Sequence, residues 1–426
     1  MSLPLVVNAM PRFLHLADIH LGFDKYDSKE RTKDFFLAFE DALQKYAIEA
    51  HVDFVIIAGD LFEHRINQPN ILNQAKLCFQ LLKAAQIPVI AIEGNHDNRP
   101  YGTATNWLKY LAEDDLVILL EPDRAETGDV VYEMWNGEAG GYIDLDCGVR
   151  VLGSRWYGAS APRAIERLAE AMQQLPASPG HTVMLFHQGL EGQIARYQGA
   201  MRYTDLLPLK QAGVDYLALG HIHKSYVEQG WIFNPGSTEA NSVEEANYDR
   251  GVFLVELSDQ GIDAQLKQDY YQRPWVRLKL KARGQESTEE IEQSAIALVQ
   301  AAIGSGELVP EVQPMVELRI EGQVGFDRLD LDTRKLQQEL QQLSQALIFL
   351  LKYEADSVEY ASPLAEDASR TQIEQEVFTD LLAAHNHYKN RAADLAKGLI
   401  GLKEMQLEAR SEDELYQFVE ELLSNA

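Results

Sequence analysis

The amino-acid sequence predicts an α/β layered protein with a smaller α/β unit behind it and a helical tail. Three observations lead there. In the first 270 residues, short apolar runs rich in Val, Ile and Leu alternate with helix-like stretches. After "YYQRP" the same alternation restarts on a smaller scale. Beyond "EYASPLAEDASR", a polar linker by composition, only helix-forming segments follow.

In order along the chain, "RFLHLA" predicts a strand and Lys29–Ala50 an amphipathic helix. "DFVIIA" is a second strand, followed by a helix from Pro69 to Ala85. "IPVIAI", "HTVMLF" and "VDYLAL" are buried-strand candidates, continuous apolar runs bounded by polar or turn residues. Tyr142–Asp146 and Val149–Ser154 bracket "CG" as a hairpin, and "RGVFLVEL" with "IDAQLKQ" around "SDQG" form another. A boundary near residue 271 separates the first domain, 1–270, from a second, 271–356. There "WVRLKLKA", "MVELRI" and "ALIFLLKY" are strands. Between them lie a helix capped by Ser287 and Glu290 and another near Leu329–Leu343. Residues 357–426 are linker and tail. Two tail helices read as capped, by Thr371 with Glu374 and by Ser411 with Glu414. Their apolar stripes are Ile373, Val377, Leu381 and Leu382, then Leu415, Phe418, Val419 and Leu422.

Composition narrows the chemistry. The chain of 426 residues is 46% hydrophobic and 24% charged, ordinary values for a globular protein. Two cysteines, Cys78 and Cys147, exclude a disulfide framework and a Cys-rich zinc site, so any metal must be held by His, Asp, Glu or Asn. "MSLPLVVNAM" is a poor signal peptide, with no basic residue before its apolar part. No run reaches the roughly 18 to 20 apolar residues of a membrane span. The expectation is a cytoplasmic protein without a membrane partner. Net charge is −28. Residues 1–270 hold 22 basic and 38 acidic side chains, and 357–426 hold 6 and 14, so no segment forms a basic nucleic-acid arm.

Five apolar runs end in candidate metal ligands. "HLADIHLG" supplies Asp18 and His20, "VIIAGDLF" Asp60, and "VIAIEGNHDN" Asn95 with His96 and Asp97. "VMLFHQG" supplies His187, and "LALGHIH" His221 and His223. In α/β sheets, sites assemble beyond the carboxyl ends of strands. Two divalent cations about 3.5–4 Å apart need a bridging anion, which a carboxylate such as Asp60 can supply beside a water or hydroxide, and several hard or borderline donors each. Such cations turn bound water into a nucleophile near neutral pH and polarise phosphate oxygens. D-x-H, G-D or H-x-H alone means little, and His187 alone would more often be structural. The ordered set of five is specific.

This set (D-x-H, G-D, G-N-H-D, an isolated His, then G-H-x-H) resembles the calcineurin-like metallophosphoesterase superfamily over about residues 12–240. The resemblance implies a four-layer fold, a β-sandwich flanked by helices, rather than the doubly wound sheet that alternation alone suggests. It implies one metal on Asp18, His20, Asp60 and His223, and a second on Asp60, Asn95, His187 and His221. Mn is the expected ion, with Fe, Zn or Mg admitted by the donor set. His96 would act on the scissile phosphate with Asp97 orienting its ring.

"FLHLADIHLG", "GDLFEHR" and "NPGSTEAN" look most like the SbcD-type DNA-repair nucleases. The expected partners are therefore DNA, an SbcC-like SMC-family ATPase docking on the tail helices, and optionally a second copy of the chain. One departure is Glu63, with His64 next, where many such nucleases carry a His directly after "GDLF". Candidate phosphate contacts are Lys25, Arg31, Arg65, Arg99, Arg155, Arg202 and Lys224, with Arg65 and Arg99 nearest the ligand motifs and Tyr101 beside them. The acidic balance also keeps open a stand-alone phosphodiesterase acting on cyclic nucleotides or other small phosphodiesters. His15 reads as a structural core residue.

Overall fold

The computed structural model describes residues 10–100, 102–103, 105–124, 130–194, 200–357, 369–383, 388–408 and 410–424. Tyr101 and residues 359–368 of the expected linker lie outside them. The chain divides into two compact units, Met1–Pro274 and Trp275–Ala426.

The first unit opens with β1 (Arg12–Leu16), α1 (Lys29–Leu43), β2 (Phe54–Ile57), α2 (Pro69–Ala84) and β3 (Val89–Ala91). Next come α3 (Trp107–Glu113), β4 (Ile118–Leu119) and a small pair, β5 (Asp123–Arg124) with β6 (Val130–Val131). The second half holds β7 (Tyr142–Asp144), β8 (Val149–Leu152), α4 (Ala161–Met172), β9 (His181–His187), α5 (Tyr203–Gln211) and β10 (Tyr216–Gly220). β11 (Tyr226–Glu228), β12 (Ile232–Asn234), β13 (Val252–Ser258) and β14 (Gly261–Lys267) complete the unit.

Among the described residues these strands form two six-stranded sheets, ordered β14-β13-β1-β2-β3-β4 and β11-β12-β10-β9-β8-β7. The sheets face each other across one core. Phe13, Phe54, Ile56 and Ile90 come from the first sheet, and Val151, Val183, Leu185, Tyr216 and Phe233 from the second. The opposite face of the first sheet is covered through Phe39, Phe79 and Leu111 of α1, α2 and α3. That of the second is covered through Ile165, Leu168 and Leu206 of α4 and α5. The result is the four-layer sandwich, not a single doubly wound sheet. Strands buried on both faces explain why β2 and β9 read as unbroken apolar runs.

Local signals set the helix ends. Ser28 accepts from the Arg31 N–H to start α1, and Asn106 does the same for α3 from Lys109. The long helix expected to Ala50 instead leaves α geometry after Leu43 for one π-helical turn, Gln44–Ile48.

The second unit is a parallel sheet in the order β15 (Trp275–Arg283), β16 (Met315–Val324) and β17 (Ile348–Ser357). It is crossed by α6 (Thr288–Ser305) and α7 (Thr333–Ser344), which cover one face with Ile291, Val299, Leu336 and Leu340. The Ser287–Glu290 capping box forms. α7 is capped by Asp332 and starts at Thr333, later than expected, because Arg328–Asp330 is a separate 3₁₀ turn. The tail forms α8 (Arg370–Ala383), α9 (Ala392–Leu407) and α10 (Glu412–Ser424).

The tail departs from expectation in two ways. α8 is capped by Ser369 with Gln372, two residues earlier than Thr371 with Glu374; Glu374 instead pairs with Lys403 at 2.5 Å. The two apolar stripes also differ. Leu422 and Phe418 of α10 pack where Gly398 and Gly401 of α9 offer no side chain. On α8, Ile373, Val377 and Leu381 remain 48%, 50% and 64% exposed.

Candidate metal centre

All seven predicted ligands meet at one edge of the sandwich, beyond the carboxyl ends of β1, β2, β3, β9 and β10. The backbone there is unusual. Asp18, His20, Asp60 and His221 have φ values of 53°, 54°, 54° and 83°, a left-handed region where Asp and His are tolerated better than most side chains. Such conformations persist when surrounding structure over-determines them. The Asp18 N–H donates to Gly59 O at 3.1 Å, and His20 N–H to Asp60 O at 3.1 Å, so the first two loops hold each other. Close approach needs glycine. A Cβ on Gly94 would fall on the Asp60 carboxylate, and one on Gly59 on the His187 ring.

Two groups of donors result. Around Asp18, the Nε2 atoms of His20 and His223 face each other at 3.2 Å, with Asp18 Oδ1 3.8 Å from His223 Nε2. Around Asp60, His187 Nε2 lies 3.2 Å from Asp60 Oδ2 and 3.2 Å from Asn95 Oδ1. The donors of Asp60, His187 and His221 lie within 4.8 Å of one another. Buried imidazole lone pairs and carboxylates converging in this way fit divalent cations.

Electrostatics agree. Burial alone would lower both His187 and His223. The Asp60 carboxylate beside His187, and the Glu245 carboxylate beside His223, override it and raise each to about 9. Burial pushes His221 down to about 3, helped by the positive His187 next to it. Against burial, the surrounding imidazoles hold Asp60 well below the usual carboxylate range.

His96 lies at the rim. Its backbone N–H donates to Asp60 Oδ1 at 2.8 Å, and its ring Nδ1 lies 2.6 Å from Glu63 O, which fixes the ring. Asp97 does not orient that ring. Its carboxylate accepts from the backbone N–H groups of Leu61 at 3.0 Å, Phe62 at 2.9 Å and Gly94 at 3.3 Å, tying the Asp60 loop to the Asn95 loop. Burial, then the charge of Asp60, raise its acid to about 6.

The cations sort differently from expectation. Arg99 is clamped on Glu121 at 2.9 and 3.0 Å, Arg202 on Asp205, and Arg31 is buried against Asp34 and Glu239. Arg155 donates to Pro122 O. Arg65 stays at the site, exposed and 3.3 Å from Asn95 O. It lines a cleft of about 1220 Å³ beside His96 and Asn95, with Lys29 and Lys33 on the wall.

Three site residues escaped sequence reasoning. Glu63, noted only as a departure, puts Oε2 2.8 Å from His20 Nδ1. Glu245, in the unremarkable "SVEEAN", reaches His223 Nδ1 at 3.1 Å. Trp156 stands with its ring 5.2 Å from His221 and 5.6 Å from His187. No linear pattern announces the last two.

The fold and its donor cluster define a phosphoesterase, and a model of the calcineurin-like phosphoesterase family matches residues 11–225. The chain belongs to that family. More particularly, it is similar to proteins described as DNA double-strand break repair protein Mre11. The one from Archaeoglobus fulgidus is 30% identical, covering 55% of this chain and 52% of the relative. Those from Methanosarcina mazei and Sulfurisphaera tokodaii are 30% and 34% identical, covering 59% and 51% of this chain and 37% and 50% of theirs. The chain thus spans about half or less of the length of these relatives. Among the described residues, no helix is long and apolar enough to cross a membrane.

Proposed function

We propose that the chain is a metal-dependent nuclease that hydrolyses DNA phosphodiester bonds, the nuclease subunit of a repair complex of the SbcCD type. One observation carries this reading: seven metal-type donors converge beside a cleft whose wall holds Lys29, Lys33 and Arg65. The names of the similar proteins support DNA as the substrate. Asp18, His20, Asp60 and His223 would hold one cation, and Asp60, Asn95, His187 and His221 the other. Two divalent ions there, Mn²⁺ by the family resemblance, supply charge stabilisation of the phosphate and an activated water. His96 is the catalytic residue, acting through Nε2 on the reacting phosphate or its leaving oxygen. Asp97 is a positioning residue for both ligand loops. Residues 1–270 form the nuclease domain, 271–356 a capping domain, and 357–426 the segment that docks an ATPase, through the exposed row Ile373, Val377 and Leu381 of α8.

The test is direct. Purified protein with Mn²⁺ should process labelled double-stranded DNA, and Asp60→Ala or His223→Ala should lose both bound metal and hydrolysis. Turnover of cyclic nucleotides alone would replace the nuclease with the small-molecule phosphodiesterase.

A further inference from the structure

The two donor groups differ in what stands behind them. His20 and His223 turn their Nε2 atoms toward each other, so each Nδ1 points away from the ion position. Each Nδ1 meets a glutamate: Glu63 at 2.8 Å and Glu245 at 3.1 Å. The two glutamates are anchored differently. Glu245 accepts the Asn241 N–H through its second oxygen at 2.8 Å. Glu63 is fixed through its backbone, its N–H on Leu21 O at 3.0 Å and its C=O against His96 Nδ1. Each side chain is only 18% exposed, so solvent screens its charge weakly. His187, in the other group, sets its Nδ1 against the neutral carbonyl of Ala58 at 2.7 Å.

A carboxylate behind a ligating imidazole fixes the tautomer with the proton on the far nitrogen and raises the basicity of the near one. It also adds negative charge a few ångströms behind the ligand. Two glutamates stand behind one donor group, and a carbonyl dipole behind His187 of the other. We propose that Glu63 and Glu245 are positioning residues that make the Asp18–His20–His223 site the tighter of two cation sites, an inference resting on the di-metal reading above. Glu245 is well aligned for a hydrogen bond. The Glu63 contact is short but off the hydrogen-bond axis, so its contribution is mainly charge and the smaller of the two.

The experiment is Mn²⁺ titration of the ion-stripped 426-residue chain, by calorimetry and by electron paramagnetic resonance of free Mn²⁺. The wild type should bind two ions in separate steps. Glu245→Gln should weaken the first step about tenfold, Glu63→Gln by less, and the double variant by both, while the second step moves less than about threefold. Glu→Asp variants, which keep the charge, should recover part of the loss, a rescue that packing damage would not show. Unfolding midpoints of the ion-free variants within about 2 °C of wild type confirm intact folds, and a variant outside that range is judged on its Asp counterpart. Equal weakening of both steps, or wild-type affinity in both Gln variants, overturns the proposal. So does a third bound ion lost on Glu63→Gln, which would make Glu63 a ligand with His20 and His96. If the wild type binds no pair of ions, or Asp60→Ala leaves both bound, the di-metal reading itself falls, a result separate from the glutamate effect.

Discussion

Acid should loosen the strand that carries His221, because of His15. Its ring is fully buried between the two sheets, edge-on to Tyr216 at 5.7 Å. Nδ1 lies 2.8 Å from the Tyr216 hydroxyl and Nε2 3.0 Å from Leu219 O. The neutral ring satisfies both when Nε2–H donates to Leu219 O and Nδ1 accepts from Tyr216. A proton on Nδ1 would put a positive charge into an apolar core and take from the Tyr216 hydroxyl hydrogen the acceptor it uses. Burial therefore lowers His15 from 6.5 to about 3. Between those values the unfolded chain binds a proton that the fold refuses. The stability is fully present above about pH 6.5 and is lost progressively as pH falls toward 3. Each pH unit is worth about 1.4 kcal/mol, so by pH 5 the loss is roughly 2 kcal/mol. His15→Gln removes the titration but keeps a donor. At pH 8 it should be less stable by about 1–3 kcal/mol for the imperfectly replaced bonds. By pH 5 that gap should close by roughly 2 kcal/mol. Urea midpoints of both proteins at the two pH values measure it. A gap that stays constant across the range would refute the account of His15.

His96→Asn should retain the wild-type Mn²⁺ content while turnover falls at least about a hundredfold. Asp97→Ala, which frees three buried N–H groups across two ligand loops, should lower metal content itself, read by elemental analysis. Lys29→Ala, Lys33→Ala and Arg65→Ala combined should weaken DNA affinity and flatten its logarithmic salt dependence by roughly 2–3, about 0.9 per phosphate contact. Arg99→Ala, already committed to Glu121, should leave that slope unchanged in the same filter-binding assay. Gly304→Ala, at an exposed position of α6 with no atom near its added Cβ, should stabilise the second unit by about 0.5–1 kcal/mol in urea unfolding, whereas Gly94→Ala should deplete bound metal.

The convergence of the candidate donors was legible because each follows an apolar run, and strand ends at one edge of a sheet pair leave little freedom about where those residues go. The four-layer arrangement was not legible in the alternation. A strand buried by a helix on one face and by a second sheet on the other has the same apolar run as one buried between two helices. That distinction came only with the family resemblance. Short or punctuated elements were lost. β12 is three residues, too few to show a period, and α5 carries Pro208, which argues against a helix. Partnerships across the fold were invisible for another reason. Glu245 reads as one more solvated glutamate until the loop after β12 returns it to His223. Arg99 reads as a free cation until Glu121 arrives from beyond α3.

The place of β1 in its sheet has a consequence for synthesis. Its partners are β2, close in sequence, and β13, paired through Arg12 with Glu256. At about 5–20 residues per second, the ribosome reaches the second partner on the order of 12–50 s after the first strand emerges. During that interval the parallel strands β1 to β4 can assemble only with the outer edge of β1 bare, an apolar edge of the kind that invites pairing with another chain. The candidate metal donors, from Asp18 to His223, are all translated before that edge closes. A nascent chain can therefore hold every candidate donor while its first sheet remains open to a neighbour, and translation pauses between β10 and β13 would lengthen that exposure.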